Sequence, residues 1–320
     1  KKSIPFSLLK EFLVGEYGVV TMALSYALAI ILPIVSAFFI FFSILEDSGY
    51  LPRLAILLNR SFRTIGLSGK AVIPMVLGLG CDTMATMVTR TLETKRERIL
   101  ATLLLALAIP CSAQLGVILG LIGGLSAKAT LIWAGSVTIV FFLVGFLAAK
   151  VIPGKSSDFI LEIPPIRVPK LKNILVKPLA RIEWYLREAV PLFIIGTVFL
   201  FVLSKLSILK AIENLARPLV VSFLGLPAGA AEAFLIGFFR RDYGAAGLYA
   251  LAQKGLMSPV QIVVSLVTIT LFVPCLAQYL VMVKERGAKT AFWIVAFIFP
   301  FAFLTGGVLN FLLRYFKVAL

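Results

Sequence analysis

Pro110-Cys111-Ser112-Ala113-Gln114 and Pro274-Cys275-Leu276-Ala277-Gln278 share a Pro-Cys-x-Ala-Gln core, and both lie inside long apolar stretches. Proline has no amide hydrogen, so it opens a helical ladder and frees the carbonyl four residues earlier. The cysteine beside it supplies a soft donor at the depth of the break. Two such elements in one chain predict paired half-sites around a polar or metallic cargo, built from interrupted membrane helices.

The rest of the chain is apolar to match. Hydrophobic residues make up 60% of the sequence, charged residues 14%, and mean hydropathy is +1.04, beyond the range of a soluble domain. The runs Met22–Leu45, Ile99–Leu125, Thr130–Ala149, Pro191–Leu206, Pro259–Val283 and Ala291–Leu313 each approach or exceed the ~20 residues that cross a bilayer core. The fold class expected is all-α, a polytopic transmembrane helical protein embedded in membrane lipid. The net charge of +16 is gathered between apolar runs. It reads as topology signals and contact with anionic headgroups rather than nucleic-acid binding.

Several chemistries are excluded. The chain has no histidine and three cysteines, which rules out an HExxH site and argues against a disulfide framework. Gly66-Leu67-Ser68-Gly69-Lys70 is no phosphate loop, because Thr64 stands where a glycine is needed and no Ser or Thr follows Lys70. No nucleophile–base pairing is evident. A transporter is expected rather than an enzyme, with no catalytic residues and no cofactor bound by the chain itself.

The repetition extends past the Pro-Cys motif. Leu32-Pro33-Ile34 matches Val190-Pro191-Leu192 at an offset of 158, Ile65-Gly66-Leu67 matches Leu224-Gly225-Leu226 at 159, and the Pro-Cys pair follows at 164. Residues 1–151 and 184–320 are therefore expected to be two membrane repeats. A basic, Pro-rich cytoplasmic linker at 152–183 would join them. Each repeat carries a Gly-broken segment: Ser68–Leu92 with Gly80-Cys81-Asp82 near its centre, and its counterpart around Arg240-Arg241-Asp242. Such a segment is either a full span or a re-entrant hairpin. The distribution of Lys and Arg does not choose between them. Hairpins are favoured, since they give an odd number of crossings per half and hence inverted repeats.

Ionisable groups at membrane depth ask for a reason. Cys111 and Cys275 are the leading metal ligands, with Cys81 and Asp82 as a further cation-binding pair at a helix break. Pro110, Ser112, Gln114, Pro274 and Gln278 would line the path or gate. Glu232, Arg240, Arg241 and Asp242 either belong to the gate or pair with one another as a buried structural network. A lone Cys81 in an apolar helix would read simply as a small hydrophobe.

These residues resemble the ferrous iron transport protein B family. Leu45-Glu46-Asp47-Ser48-Gly49-Tyr50-Leu51-Pro52-Arg53 looks like its segment after an early span. Gly78-Leu79-Gly80-Cys81-Asp82, Thr89-Arg90-Thr91-Leu92-Glu93, Arg96-Glu97-Arg98 and Pro110-Cys111-Ser112-Ala113 resemble its first gate motif. Phe239-Arg240-Arg241-Asp242-Tyr243-Gly244-Ala245-Ala246-Gly247 and Phe272-Val273-Pro274-Cys275 resemble the second. The chain departs from the family at Asp82-Thr83-Met84, where Asn-Val-Pro is common, and at Gln114, where arginine is usual.

The resemblance implies uptake of Fe²⁺ across the inner membrane of a bacterium or archaeon. It also implies a cytosolic GTPase domain, absent from this chain, through which alone GTP and Mg²⁺ would enter. Small accessory proteins and a homo-oligomer are further implied partners. Two rivals remain open at this point. One is a nucleoside or other small-solute transporter with the same gates, and the other is a membrane partner of a separate GTPase.

Overall fold

The computed structural model describes residues 32–154, 165–167, 169–205, 208–272 and 274–316. These residues form fourteen α-helices, with no strand among them. The chain divides into two compact units, one of Lys1–Arg53 with Glu162–Ile212, the other of Leu54–Leu161 with Glu213–Leu320. Among the described residues, four stretches are long and apolar enough to cross a membrane: Lys95–Ile122, Ala127–Val151, Pro259–Arg286 and Ala288–Tyr315. A fifth qualifies if the bent pair Leu32–Asp47 and Tyr50–Thr64 counts as one span. The all-α, polytopic expectation holds. The early part of Met22–Leu45 lies outside the described residues.

In the first unit, α1 (Leu32–Asp47) is followed by α2 (Tyr50–Thr64), which runs on into the second unit. The acidic end of α1 receives a basic helix, α8 (Leu171–Lys205). Glu46 pairs with Lys177 at 3.1 Å and Arg181 at 2.7 Å. Asp47 accepts the Lys170 amide and the Asn173 side chain, both at 2.8 Å. Here the connector departs from its expected form. Its stretch from Leu171 onward is helical, with Pro178 and Pro191 inside the helix. Paired charges and a helix packed on α1 outweigh the local cost of proline.

The second unit holds α3 (Val72–Gly78), α4 (Asp82–Val88), α5 (Lys95–Ala108), α6 (Ser112–Ile122) and α7 (Ala127–Val151). After the first unit's excursion come α9 (Ile208–Pro218), α10 (Gly229–Phe239), α11 (Arg241–Gln253), α12 (Pro259–Leu271), α13 (Leu276–Arg286) and α14 (Ala288–Tyr315). At its centre stand α5 and α12, whose residues Leu100–Ala108 and Ile262–Leu271 are all buried. Around them, α7 and α14 present Leu131, Ile139, Leu147, Trp293, Phe297 and Phe311 outward, as lipid-facing helices do.

Matched local devices start the two central helices. Thr94 caps α5 by accepting the Glu97 amide, and the Glu97 carboxylate reaches the Ser68 amide at 3.0 Å. Ser258 and Gln261 form a capping box on α12, with Pro259 in the first turn, and the Gln261 amide reaches the Gly225 carbonyl at 2.7 Å. A glycine of positive φ stands at each tie, Gly66 at +73° two residues before Ser68 and Gly225 at +66° as the acceptor itself, a region costly for other residues.

Short helices carry the Gly-broken segments. At seven residues each, α3 and α4 are ~10 Å long, far short of a bilayer core. Around Arg240, α10 and α11 fold back on each other. A Cβ on Gly244 would lie 2.5 Å from Gly237 Cα, and Gly247 faces Ala233 and Gly229 faces Leu251 in antiparallel register. Small residues let the two backbones touch.

Candidate transport site

Four helices begin at one place in the second unit. Cys81, Arg240, Cys111 and Cys275 are the N-cap residues of α4, α11, α6 and α13, each with extended backbone. The cause is local: Pro110 and Pro274 bar helix continuation, and α5 and α12 stop just before them at Ala108 and Leu271. Ser112 then ties α6 to the α3–α4 turn, its amide and hydroxyl both bonding the Gly80 carbonyl at 3.2 and 3.0 Å. Thr83 Oγ1 lies 3.9 Å from Cys275 Sγ, joining the starts of α4 and α13.

Arg241 links all of these. Its guanidinium donates to Asp82 Oδ2 at 2.6 Å, Ile109 O at 3.1 Å, Ala106 O at 2.5 Å and Phe272 O at 3.3 Å. Ala106 is four residues before Pro110, so its carbonyl is the one the proline frees. Arg241 is 4% exposed and Asp82 3%. The carboxylate sits at the positive end of α4, and the guanidinium caps the negative ends of α5 and α12. Each charge is therefore met by both a dipole and a partner.

The two glutamines do similar work. Gln114 Nε2 donates to Ile269 O at 3.0 Å, filling a carbonyl near the cut end of α12. Gln278 Nε2 lies 3.5 Å from Thr86 Oγ1. Asp82 Oδ1, Gln114 Oε1 and Gln278 Oε1 are buried with no hydrogen-bond partner among the described residues.

Of the expected site residues, Asp82, Ser112, Gln114, Cys275, Gln278 and Arg241 meet in this network. Cys81, Cys111 and Cys275 are unpaired thiols, each half-buried. Among the described residues no three Cys, Asp or Glu side chains gather as a preformed metal cluster, and Asp82 is bonded to Arg241. The expected charge network also differs in detail. Arg240 pairs with Asp242 at 3.1 Å and stacks over Tyr243, whereas Arg241 leaves that group and Glu232 is exposed. Thr83 and Thr86 were not singled out from sequence; two hydroxyls spaced three apart on α4 are the signal that was there.

One end of the unit is cross-linked separately. Arg90 forms a two-point ion pair with Glu285, one contact at 2.7 Å, and Arg286 bonds Thr89 and Thr102. Arg96 bonds the Ala149 and Ile152 carbonyls at the end of α7. The basic loops 89–98, 149–154 and 284–287 therefore lie at the same end.

Comparison with known proteins agrees with this architecture. The family model described as "Gate: Nucleoside recognition" matches residues 28–125 and again 186–289. That for the ferrous iron transport protein B C terminus matches residues 130–181. The Fe(2+) transporter FeoB of Methanocaldococcus jannaschii is 29% identical over 322 residues, covering 89% of this chain and 47% of that protein. The Fe(2+) transporter FeoB of Staphylococcus aureus (strain COL) is 28% identical over 282 residues, 80% of this chain and 42% of that protein. An Fe(2+) transport protein A/Fe(2+) transporter FeoB fusion protein of Porphyromonas gingivalis is 32% identical over 184 residues, 55% of this chain and 21% of that protein. The chain spans less than half the length of these relatives, and no solved structure matches it. With the gate model covering well over half of its length in two segments, the chain belongs to the Gate (nucleoside recognition) family, and it is similar over most of its length to a part of Fe(2+) transporter FeoB relatives.

Proposed function

We propose that this chain is the membrane permease region of a divalent-metal transporter whose cargo is Fe²⁺, in the inner membrane of a prokaryote. One observation carries the reading: the starts of α4, α6, α11 and α13 meet the cut ends of α5 and α12 around Asp82 and Arg241. Cut carbonyl ends favour cations, and Cys81, Cys111 and Cys275 set a sulfur donor at the helix starts beside them. Sulfur ligation selects Fe²⁺ over Mg²⁺ and Ca²⁺, which prefer oxygen shells. The two Pro-Cys breaks act as mirrored half-sites, and the turns at Gly80–Asp82 and Arg240–Asp242 as re-entrant gates. The basic end, with Arg90, Arg96 and Arg286, faces the cytoplasm. A GTPase domain and small accessory proteins dock there, a view supported by the fused transport protein A of the Porphyromonas relative.

The test is flux into liposomes holding the purified chain, comparing Fe²⁺, Mn²⁺, Zn²⁺ and adenosine. Fe²⁺ entry that is abolished by Cys111→Ser with Cys275→Ser is expected. The description "Nucleoside recognition" favours the second reading. Chelator-insensitive adenosine entry, unchanged in the double variant, would establish that reading and remove the first.

A further inference from the structure

Arg241 occupies a seat with the chemistry of a cation site. A carboxylate oxygen of Asp82 and the carbonyls of Ala106, Ile109 and Phe272 converge on its guanidinium. Carbonyls at unwound helix ends are the donors that broken-helix carriers offer to transported ions. Ala106 O is open because Pro110 opened it. The guanidinium also leaves an acceptor over: Asp82 Oδ1, on the same carboxylate, is in a residue 3% exposed and has no partner among the described residues. One positive charge balances one carboxylate, and the second carboxylate oxygen still lacks a donor. Such a site is under-filled by a monovalent group.

We propose that Arg241 is a tethered occupant of the cargo seat, which a divalent cation must displace in order to be held. The inference rests on the permease reading above and adds a selection device to it. In the resting path Asp82 is never left bare, so its desolvation is always compensated. A monovalent ion matches the charge of Arg241 but not its forked donors, and so does not displace it. A divalent ion brings a second charge to the unmet Asp82 Oδ1, with Cys111 and Cys275 standing at the two Pro-Cys breaks. Binding is then an exchange of one cation for another.

The experiment is equilibrium binding of Co²⁺, a spectroscopic stand-in for Fe²⁺, to the whole chain in lipid nanodiscs. Arg241→Gln removes the competitor, and Co²⁺ affinity is expected to rise about tenfold or more, the scale of one charged hydrogen-bond partnership. Na⁺ and K⁺, inert against Co²⁺ binding in the parent chain, should compete in this variant. Arg241→Lys keeps a charge without the fork and should fall between the two; it serves as the deciding variant where Arg241→Gln does not fold. Unchanged or weaker Co²⁺ binding in the folded variants overturns the proposal while leaving the permease reading intact. A parent chain that binds no Co²⁺ and carries no Fe²⁺ removes both.

Discussion

Asp82 and Arg241 are 159 residues apart in the chain and 2.6 Å apart in space, and each is the first residue of its helix. The residues before them, Cys81 and Arg240, share nearly the same backbone, φ −151° with ψ 112° and φ −148° with ψ 107°. The same offset relates Gly66 to Gly225. The pair thus joins two helix starts at the same sequence offset as the two glycines, one carrying an acidic and the other a basic side chain.

That pair is buried, so its members are not independent. Removing one partner strands a charge, and Asp82→Asn or Arg241→Gln should each cost about 3–5 kcal/mol of metal-free stability. Together they should cost well under the sum. Unfolding of the four species in mixed micelles measures the coupling.

The hairpin of α10 and α11 positions Arg241 through backbone contact. A methyl group on Gly244 would fall 2.5 Å from Gly237 Cα and 2.7 Å from Ala233 O. Gly244→Ala should therefore destabilise by about 1–3 kcal/mol and lower Fe²⁺ flux, whereas Gly255→Ser, with open space around it, tests the turn alone. Comparable flux in Gly244→Ala and the parent chain would break the link between packing and site.

The two glutamines, equivalent in sequence, differ in strength of contact. Gln114 makes a 3.0 Å bond to a buried carbonyl, while Gln278 stands 3.5 Å from a hydroxyl that also bonds within its own helix. Gln114→Leu strands Ile269 O and should cost about 1–3 kcal/mol. Gln278→Leu should cost less, so melting temperatures of the two variants should rank in that order.

At the basic end, Arg90 is 48% exposed at its side chain and Glu285 only 7%. Losing the exposed partner leaves a covered carboxylate. Arg90→Ala should hence destabilise more than Glu285→Gln, and high salt should narrow the effect of the first. Denaturation at low and high ionic strength decides it.

Much of this was legible from residues alone. The runs Ile99–Leu125, Thr130–Ala149, Pro259–Val283 and Ala291–Leu313 gave four candidate spans to within a few residues, because twenty apolar side chains in a row leave a strong one-dimensional signal, whereas Pro191–Leu206 is the end of a helix that starts at Leu171. Pro110 and Pro274 marked the breaks, since a missing amide acts locally. The helix through Pro178 was not legible. Its cause is Glu46 and Asp47, more than a hundred residues away.

Sequence by itself determined which stretches are apolar enough to cross a membrane, where Pro110 and Pro274 break helices, and that two cysteines sit at those breaks, for these follow from hydropathy and backbone chemistry within a few residues. Only the tertiary structure decided what the buried charges do. Arg241 had Asp242 beside it and Asp82 far off, and it chose Asp82 because the freed carbonyls of Ala106, Ile109 and Phe272 lie there too. Electrostatic pairing depends on distance through space and on shielding from water, and neither is written in the order of residues.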